Sequence, residues 1–377
     1  MRKFLSLTAF AVLTTTSLAV AQDNENYNQY ENQYAAQNAE MPATMAPTRE
    51  VLMQDYNNRT YLKENTPNYG VRSYGDASDL TIEQRLKRIQ TTMELPLNSI
   101  TKPYINKYAN QMKRSVSVML AAMNFYRPIF ENALEKYNLP YELEFLPVIE
   151  SALRPGATSP AGAAGLWQFI PSTGKRYGLV INTLVDERRD PVKSTDAACR
   201  YLRDLYNRFG DWSLAIAGYN CGEGAVQKAL ARAGGREGKT FWDIYNYLPR
   251  ETRGYVPAFV GATYIMNYYC EHGISPMRAS LPEQADTVVV KNNVRLSKVA
   301  TECGVSLDQI KALNPQFRQD IVPANYAVTL PAQAAVNFAE RQDEISASAY
   351  TSSVSYAMNE SNSYGKRRSG YYYKRRR

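Results

Sequence analysis

Between Asp79 and Cys270 the apolar side chains return every three or four residues and almost never every second one, and this periodicity limits the possible folds more than any other feature. Leu80, Ile82, Leu86 and Ile89 set the spacing. Val116, Leu120, Met123, Phe130 and Leu134 continue it, and Asn138 and Pro140 break it ahead of Tyr141 to Ser151. The same pattern recurs over about 194–208, 211–220, 222–233, 241–247 and 252–270. A period near 3.6 gives each segment one apolar stripe, and such stripes are buried helix against helix. Residues 79–280 are therefore expected to form an all-α domain. One interruption stands out: Pro155 to Ala164 holds only Pro, Gly, Ala, Ser and Thr, residues small enough to let backbone approach a ligand closely.

After Pro282 the texture changes. Thr287 to Lys291 is β-prone, Leu296 to Cys303 and Leu307 to Leu313 read as short helices, and Tyr326 to Leu330 reads as a closing strand. A β-α-α-β module over 284–335 follows, so the chain is mainly α with a small mixed module behind the large domain. Residues 22–78 are rich in Asn, Gln, Tyr, Ala and Glu without apolar periodicity, and residues 343–377 in Ser, Tyr, Asn and Arg; both are expected to be disordered. At the start, Arg2 and Lys3 precede an apolar run from Phe4 to Val20 that ends in Ala19-Val20-Ala21, the outline of a signal peptide over residues 1–21. The run is too short for a lasting membrane helix. The first cysteine is Cys199, so no lipid anchor is expected at the cleavage point.

The net charge of +8 looks like nucleic-acid binding until it is located. Two positive charges belong to Arg2 and Lys3 and seven to residues 366–377, which leaves −1 for everything between. The basic character is a tail. It suits an anionic envelope polymer or lipid head groups, or serves only solubility, and no nucleic-acid groove is expected on the folded domain. Cys199, Cys221, Cys270 and Cys303 match no zinc spacing, and no metal or cofactor is expected. A Cys199–Cys221 bridge is left open. The single histidine, His272, stands just before Gly273, where a histidine commonly closes a helix.

Glu150 is the candidate for chemistry. It ends the apolar run Leu146-Pro147-Val148-Ile149, and no further acid occurs until Asp186. A carboxyl among apolar side chains is poorly solvated, which holds its proton near neutral pH and suits a general acid. On its own an isolated Glu is more often structural than catalytic.

Downstream stand Gly165-Leu166-Trp167-Gln168-Phe169, then Ala217-Gly218-Tyr219-Asn220, then Glu251-Thr252-Arg253-Gly254-Tyr255-Val256-Pro257. In this order, behind Glu150-Ser151, they resemble the soluble lytic transglycosylase family, related to goose-type lysozyme, and within it the membrane-bound lytic murein transglycosylase D group. The resemblance runs from about Leu80 to Pro276. It implies a lysozyme-like fold, a periplasmic enzyme and peptidoglycan glycan strands as substrate. It further implies that Glu150 is the catalytic acid and base in a non-hydrolytic cleavage giving 1,6-anhydromuramoyl ends, with the substrate's N-acetyl group in place of a second carboxylate. By the same resemblance Ser151 positions Glu150 or the N-acetyl group, Gln168 binds sugar, Tyr219 and Asn220 line the subsite at the scissile bond, and Tyr255 reaches Glu150.

Trp167 reads as core rather than as a sugar platform, and Glu251 reads equally as a pocket residue or an ion-pair partner. Asp186, Glu187, Asp190, Glu223 and Glu251 remain possible second carboxylates in space, which keeps a hydrolytic muramidase open; a non-catalytic binder of the cell wall is the other alternative. Two departures from the family stand out. Gly218 replaces a common Ala. The C-terminal unit resembles a LysM module, with Leu313-Asn314-Pro315 at the end of its second helix, but it opens with Lys291-Asn292-Asn293-Val294 in place of the usual Gly-Asp-Thr turn.

Overall fold

The computed structural model describes residues 78–277, 282 and 284–347. The expected signal peptide, the spacer up to residue 77 and the tail from residue 348 with its basic end fall outside them. Helix α1 (Asp79–Arg88) begins where the Ser78 side chain accepts a hydrogen bond from the Thr81 amide, and it buries Ile82 and Leu86. Helix α2 (Lys102–Asn106) passes through a π-turn at Lys107–Gln111 into α3 (Lys113–Lys136). The buried face of α3 contains Val116, Leu120, Met123, Phe130 and Leu134, the stripe legible in the sequence. Asn138, at φ +52°, turns the chain out of it.

A 3₁₀ turn at Tyr141–Phe145 leads into the short helix α4 (Leu146–Ser151), and α5 (Pro171–Arg176) follows the small-residue loop. Then come α6 (Pro191–Phe209), α7 (Trp212–Cys221), α8 (Glu223–Arg232), α9 (Phe241–Ile244) and α10 (Arg250–Tyr268). Asp190 and Asp211 cap α6 and α7 by accepting hydrogen bonds from first-turn amides. The middle of α10 is buried on every side, from Tyr255 through Met266, so it lies inside the domain and not on its surface. It packs against α2, α4 and α7, while α6 packs on α3 and α7. This arrangement sets α4 and α10 side by side. His272 ends the short 3₁₀ turn after α10, with Gly273 in the left-handed conformation behind it and its Nε2 hydrogen-bonded to the Tyr264 hydroxyl at 2.9 Å.

In the C-terminal module, β1 (Ala285–Val289) and β2 (Ala327–Pro331) pair antiparallel, with Ala285 opposite Pro331 and Val289 opposite Ala327. Helices α11 (Leu296–Cys303) and α12 (Leu307–Leu313) lie between them in sequence. Asn314 staples α12 to β2: its amide accepts from the Thr329 N–H at 2.7 Å and donates to the Thr329 carbonyl at 2.6 Å. The unusual opening is tied down by Val294, whose backbone exchanges two hydrogen bonds with Val322.

One expectation is corrected. Helix α13 (Ala332–Ala347) carries the module past residue 335 and takes up 343–347, which were expected to begin a disordered tail. Its buried residues Ala335, Phe338, Gln342 and Ile345 keep a helical spacing that the polar composition around them concealed.

Candidate active site

Glu150 is the penultimate residue of α4, which stops abruptly because Ala152 and Leu153 adopt left-handed conformations at φ +51° and +60°. Every other residue of this helix is buried. The Glu150 side chain alone faces a pocket of about 260 Å³, whose lining includes Gln168, Phe169, Tyr201, Tyr219 and Asn220. Burial pushes the Glu150 carboxyl up to about 8, against a hydrogen bond from Tyr255 that favours its charged form and with a smaller upward contribution from nearby Glu251. The Tyr255 hydroxyl is the donor to Glu150 Oε1, and its residue is buried on α10. Burial thus favours the protonated form of this carboxyl, and Tyr255 is its side-chain partner.

The other expected residues divide. Gln168 sits in the left-handed region at φ +46°, where a non-glycine residue is uncommon, and its amide donates to the Gly165 carbonyl at 2.9 Å. Tyr219 borders the pocket with its ring packed on Tyr201 and Phe169, and its hydroxyl donates to the Trp167 carbonyl at 2.8 Å. Asn220 borders it with Oδ1 accepting from the Thr252 hydroxyl at 2.8 Å.

Ser151 does not line the pocket. It is buried and donates to the carbonyls of Pro147 at 3.1 Å and Leu166 at 3.0 Å, which ties the end of α4 to the segment that presents Gln168. Trp167 is fully buried, packs edge-on against Phe130 and donates from its indole nitrogen to Thr195 at 2.8 Å, so it is core.

None of the alternative carboxylates lines the pocket. Asp186 pairs with Arg188 at 2.8 Å, Glu187 with Lys193 at 2.5 Å and Glu223 with Arg208 at 2.9 Å, while Asp190 caps α6. Glu251 lies close enough to influence Glu150 without bordering the cavity. Among the described residues no group of His, Cys, Asp and Glu side chains could hold a metal ion. The four cysteines are free thiols, so the Cys199–Cys221 bridge left open in the sequence is not formed. Cys221 borders the pocket, but burial pushes its thiol above the ordinary range and makes it a poor nucleophile.

The small-residue loop forms one rim of the pocket through Ser159, Ala161 and Ala163. It is held by two arginines that sequence reasoning did not single out. Arg188 Nη1 donates to the carbonyls of Gly162 at 2.7 Å and Phe169 at 3.0 Å, and its Nε and Nη2 make a two-point contact with the Asp186 carboxylate. Burial works to raise the Asp186 carboxyl, but hydrogen bonds and charge from Arg188, with Arg189, hold it below the usual carboxylate range. Arg189 reaches the Gly156 carbonyl and the Thr158 hydroxyl. Gly165, at φ +87°, lies so close to the Arg188 carbonyl that a Cβ there would sit 1.7 Å from its oxygen. Thr252 was also missed as the partner of Asn220. Its only sequence signal was its place inside the Glu251 to Pro257 motif.

Residues 127–242 match the transglycosylase SLT domain family, and residues 284–347 match the LysM-like domain of lytic transglycosylase MltD. Membrane-bound lytic murein transglycosylase D of Escherichia coli (strain K12) is 37% identical over 224 residues, covering 59% of this chain and 49% of the relative. A putative tributyltin chloride resistance protein of Alteromonas sp. (strain M-1) is 43% identical over 99 residues, 26% of this chain and 48% of its own. The chain thus spans about half the length of these curated relatives. Among solved structures, the 70 kDa soluble lytic transglycosylase of Escherichia coli aligns over 71% of this chain and 46% of its own, at 19% identity and a TM-score of 0.34.

Proposed function

We propose that this chain, which carries a transglycosylase SLT domain followed by an MltD-type LysM-like domain, cleaves the β-1,4 bond between N-acetylmuramic acid and N-acetylglucosamine in peptidoglycan. The observation that carries the reading is the position of Glu150, a carboxyl that burial pushes up to about 8, as the one acid on a pocket whose polar lining is amides, hydroxyls and aromatic rings. Those groups match what a sugar offers, hydroxyls to pair with and C–H faces to stack on.

In the first step Glu150 gives its proton to the departing glycosidic oxygen. The N-acetyl carbonyl of the muramoyl residue stabilises the anomeric carbon, which suits a site with no second carboxylate on its lining. Glu150, now ionised and held by the Tyr255 hydroxyl, takes the proton of the muramoyl C6 hydroxyl as that oxygen bonds to C1. The products are a shortened strand and a 1,6-anhydromuramoyl end, with Glu150 protonated again and no water consumed. Gln168, Tyr219 and Asn220 hold the sugars beside the scissile bond.

Export to the periplasm belongs to the same reading and rests on the N-terminal residues 1–21. No described helix is long and apolar enough to cross a membrane.

Digestion of purified sacculi followed by mass spectrometry tests the chemistry. Fragments one water lighter than muramidase products are expected. Fragments with ordinary reducing ends would replace this reading with hydrolysis, and an absence of soluble fragments would leave a binding protein.

A further inference from the structure

The C-terminal module is joined to the pocket by a continuous series of contacts. The turn after α12 lies along residues 182–186 of the α domain: the Asp186 amide donates to the Gln316 carbonyl at 2.8 Å, and the Arg318 amide donates to the Leu184 carbonyl at 2.8 Å. Leu184 and Val185 are buried in the same apolar cluster as Val322, Val328 and Phe338 of the module. Segment 182–186 therefore completes the module's core, although it belongs in sequence to the α domain. The very next contacts lead into the site, because the Asp186 carboxylate grips Arg188, and Arg188 Nη1 holds Gly162 on the pocket rim and Phe169 beside Gln168.

We propose that the module is a positioning element of the catalytic site: docked on Leu184 and Val185, it fixes Asp186, which aims Arg188, which holds the rim and the strained Gln168 in place. A buried ion pair of this kind adds little net stability but restricts geometry strongly, since one fork of Arg188 cannot satisfy the Asp186 carboxylate and two carbonyls in more than one arrangement. Arg188 is a positioning residue here. Small displacements of positioning groups are costly to rate, because a misplacement of about 1 Å can lower it about a hundredfold. The docked turn also turns one end of the module toward the α domain, so the module acts on turnover as well as on any glycan it contacts.

This inference rests on the proposed cleavage activity, and its test separates the two. The full chain is assayed on a short soluble muramoyl oligosaccharide, too short to engage pocket and module together, beside Leu184→Ser, which breaks docking, and Leu184→Met, which conserves it. Arg188→Lys is a second, module-independent disruption. The expected result is a fall in kcat of about tenfold or more for Leu184→Ser and Arg188→Lys, with KM changed less than threefold and Leu184→Met close to the parent. Hydrogen exchange is followed in parallel at the amides of Ser159, Ala164 and Gly165, which close the rim. Their exchange is expected to quicken in Leu184→Ser while that of α3 does not.

Unchanged rim protection in Leu184→Ser, with exchange at Asp186 and Arg318 showing that docking is lost, overturns the inference whether or not the chain cleaves the substrate. An unaltered kcat in that undocked variant overturns it as well. A parent chain without turnover sinks the cleavage reading instead, and the exchange arm then decides the coupling alone.

Discussion

The Tyr255 hydroxyl donates to the carboxyl of Glu150 from the buried middle of the central helix, so the acid of this site has a fixed partner on its protein side. The two residues are 105 positions apart in sequence and meet because α4 packs on α10. Burial drives the Glu150 carboxyl up to about 8 and Tyr255 pulls the other way, a balance that suits the proposed role of giving a proton and then taking one.

Glu150→Gln is expected to lower cleavage roughly a thousandfold while glycan binding persists. It should also stabilise the fold. The folded carboxyl is raised from 4.5 to about 8, so between those values the unfolded chain ionises more readily and stability is lost as pH rises. Glutamine removes that loss. Thermal melts should show a gain on the order of 4 kcal/mol at pH 7.5 that disappears near pH 4; a gain independent of pH would contradict the assignment.

Tyr255→Phe removes the hydrogen bond that favours the ionised carboxylate. The alkaline limb of kcat, expected near pH 8 in the parent, should move upward, and kcat should fall about tenfold because the second step needs an ionised base. A limb that stays in place or moves down would show that Tyr255 does not govern this proton.

Thr252→Val leaves Asn220 without the donor that orients its amide. Turnover of sacculi should drop about tenfold and stability by about 1 kcal/mol, whereas Asn220→Ala in the same background should add little further loss. Additive losses in that double-mutant cycle would separate the two residues.

Gly165→Ala should be among the most damaging single changes in the domain. The new Cβ would overlap the Arg188 carbonyl, and the position already requires a positive φ. A loss of about 3 kcal/mol or more is expected by chemical denaturation, with cleavage falling in parallel.

The helical stripes on α3 and α6 to α10 were legible because each is local, a matter of which residues return to one face of one helix. Glu150 was legible for a similar reason, as an acid at the end of an apolar run. Ser151 was legible only as a residue that positions Glu150 or the N-acetyl group, and packing alone shows its hydroxyl turned to two backbone carbonyls at the end of the helix that carries Glu150. Arg188 was hidden among acids that looked like rival catalytic groups. Helix α13 was hidden by polar neighbours that obscured its spacing.

The sequence by itself determined the class of fold, the order of the elements and the residue types available for chemistry, because periodicity, breakers and residue chemistry are written locally along the chain. Tertiary structure alone decided which of those groups meet. It put Tyr255 against Glu150, turned Asp186 away to Arg188 and set the module's turn on Leu184, since each of these depends on how separate helices pack and which polar groups burial forces into pairs.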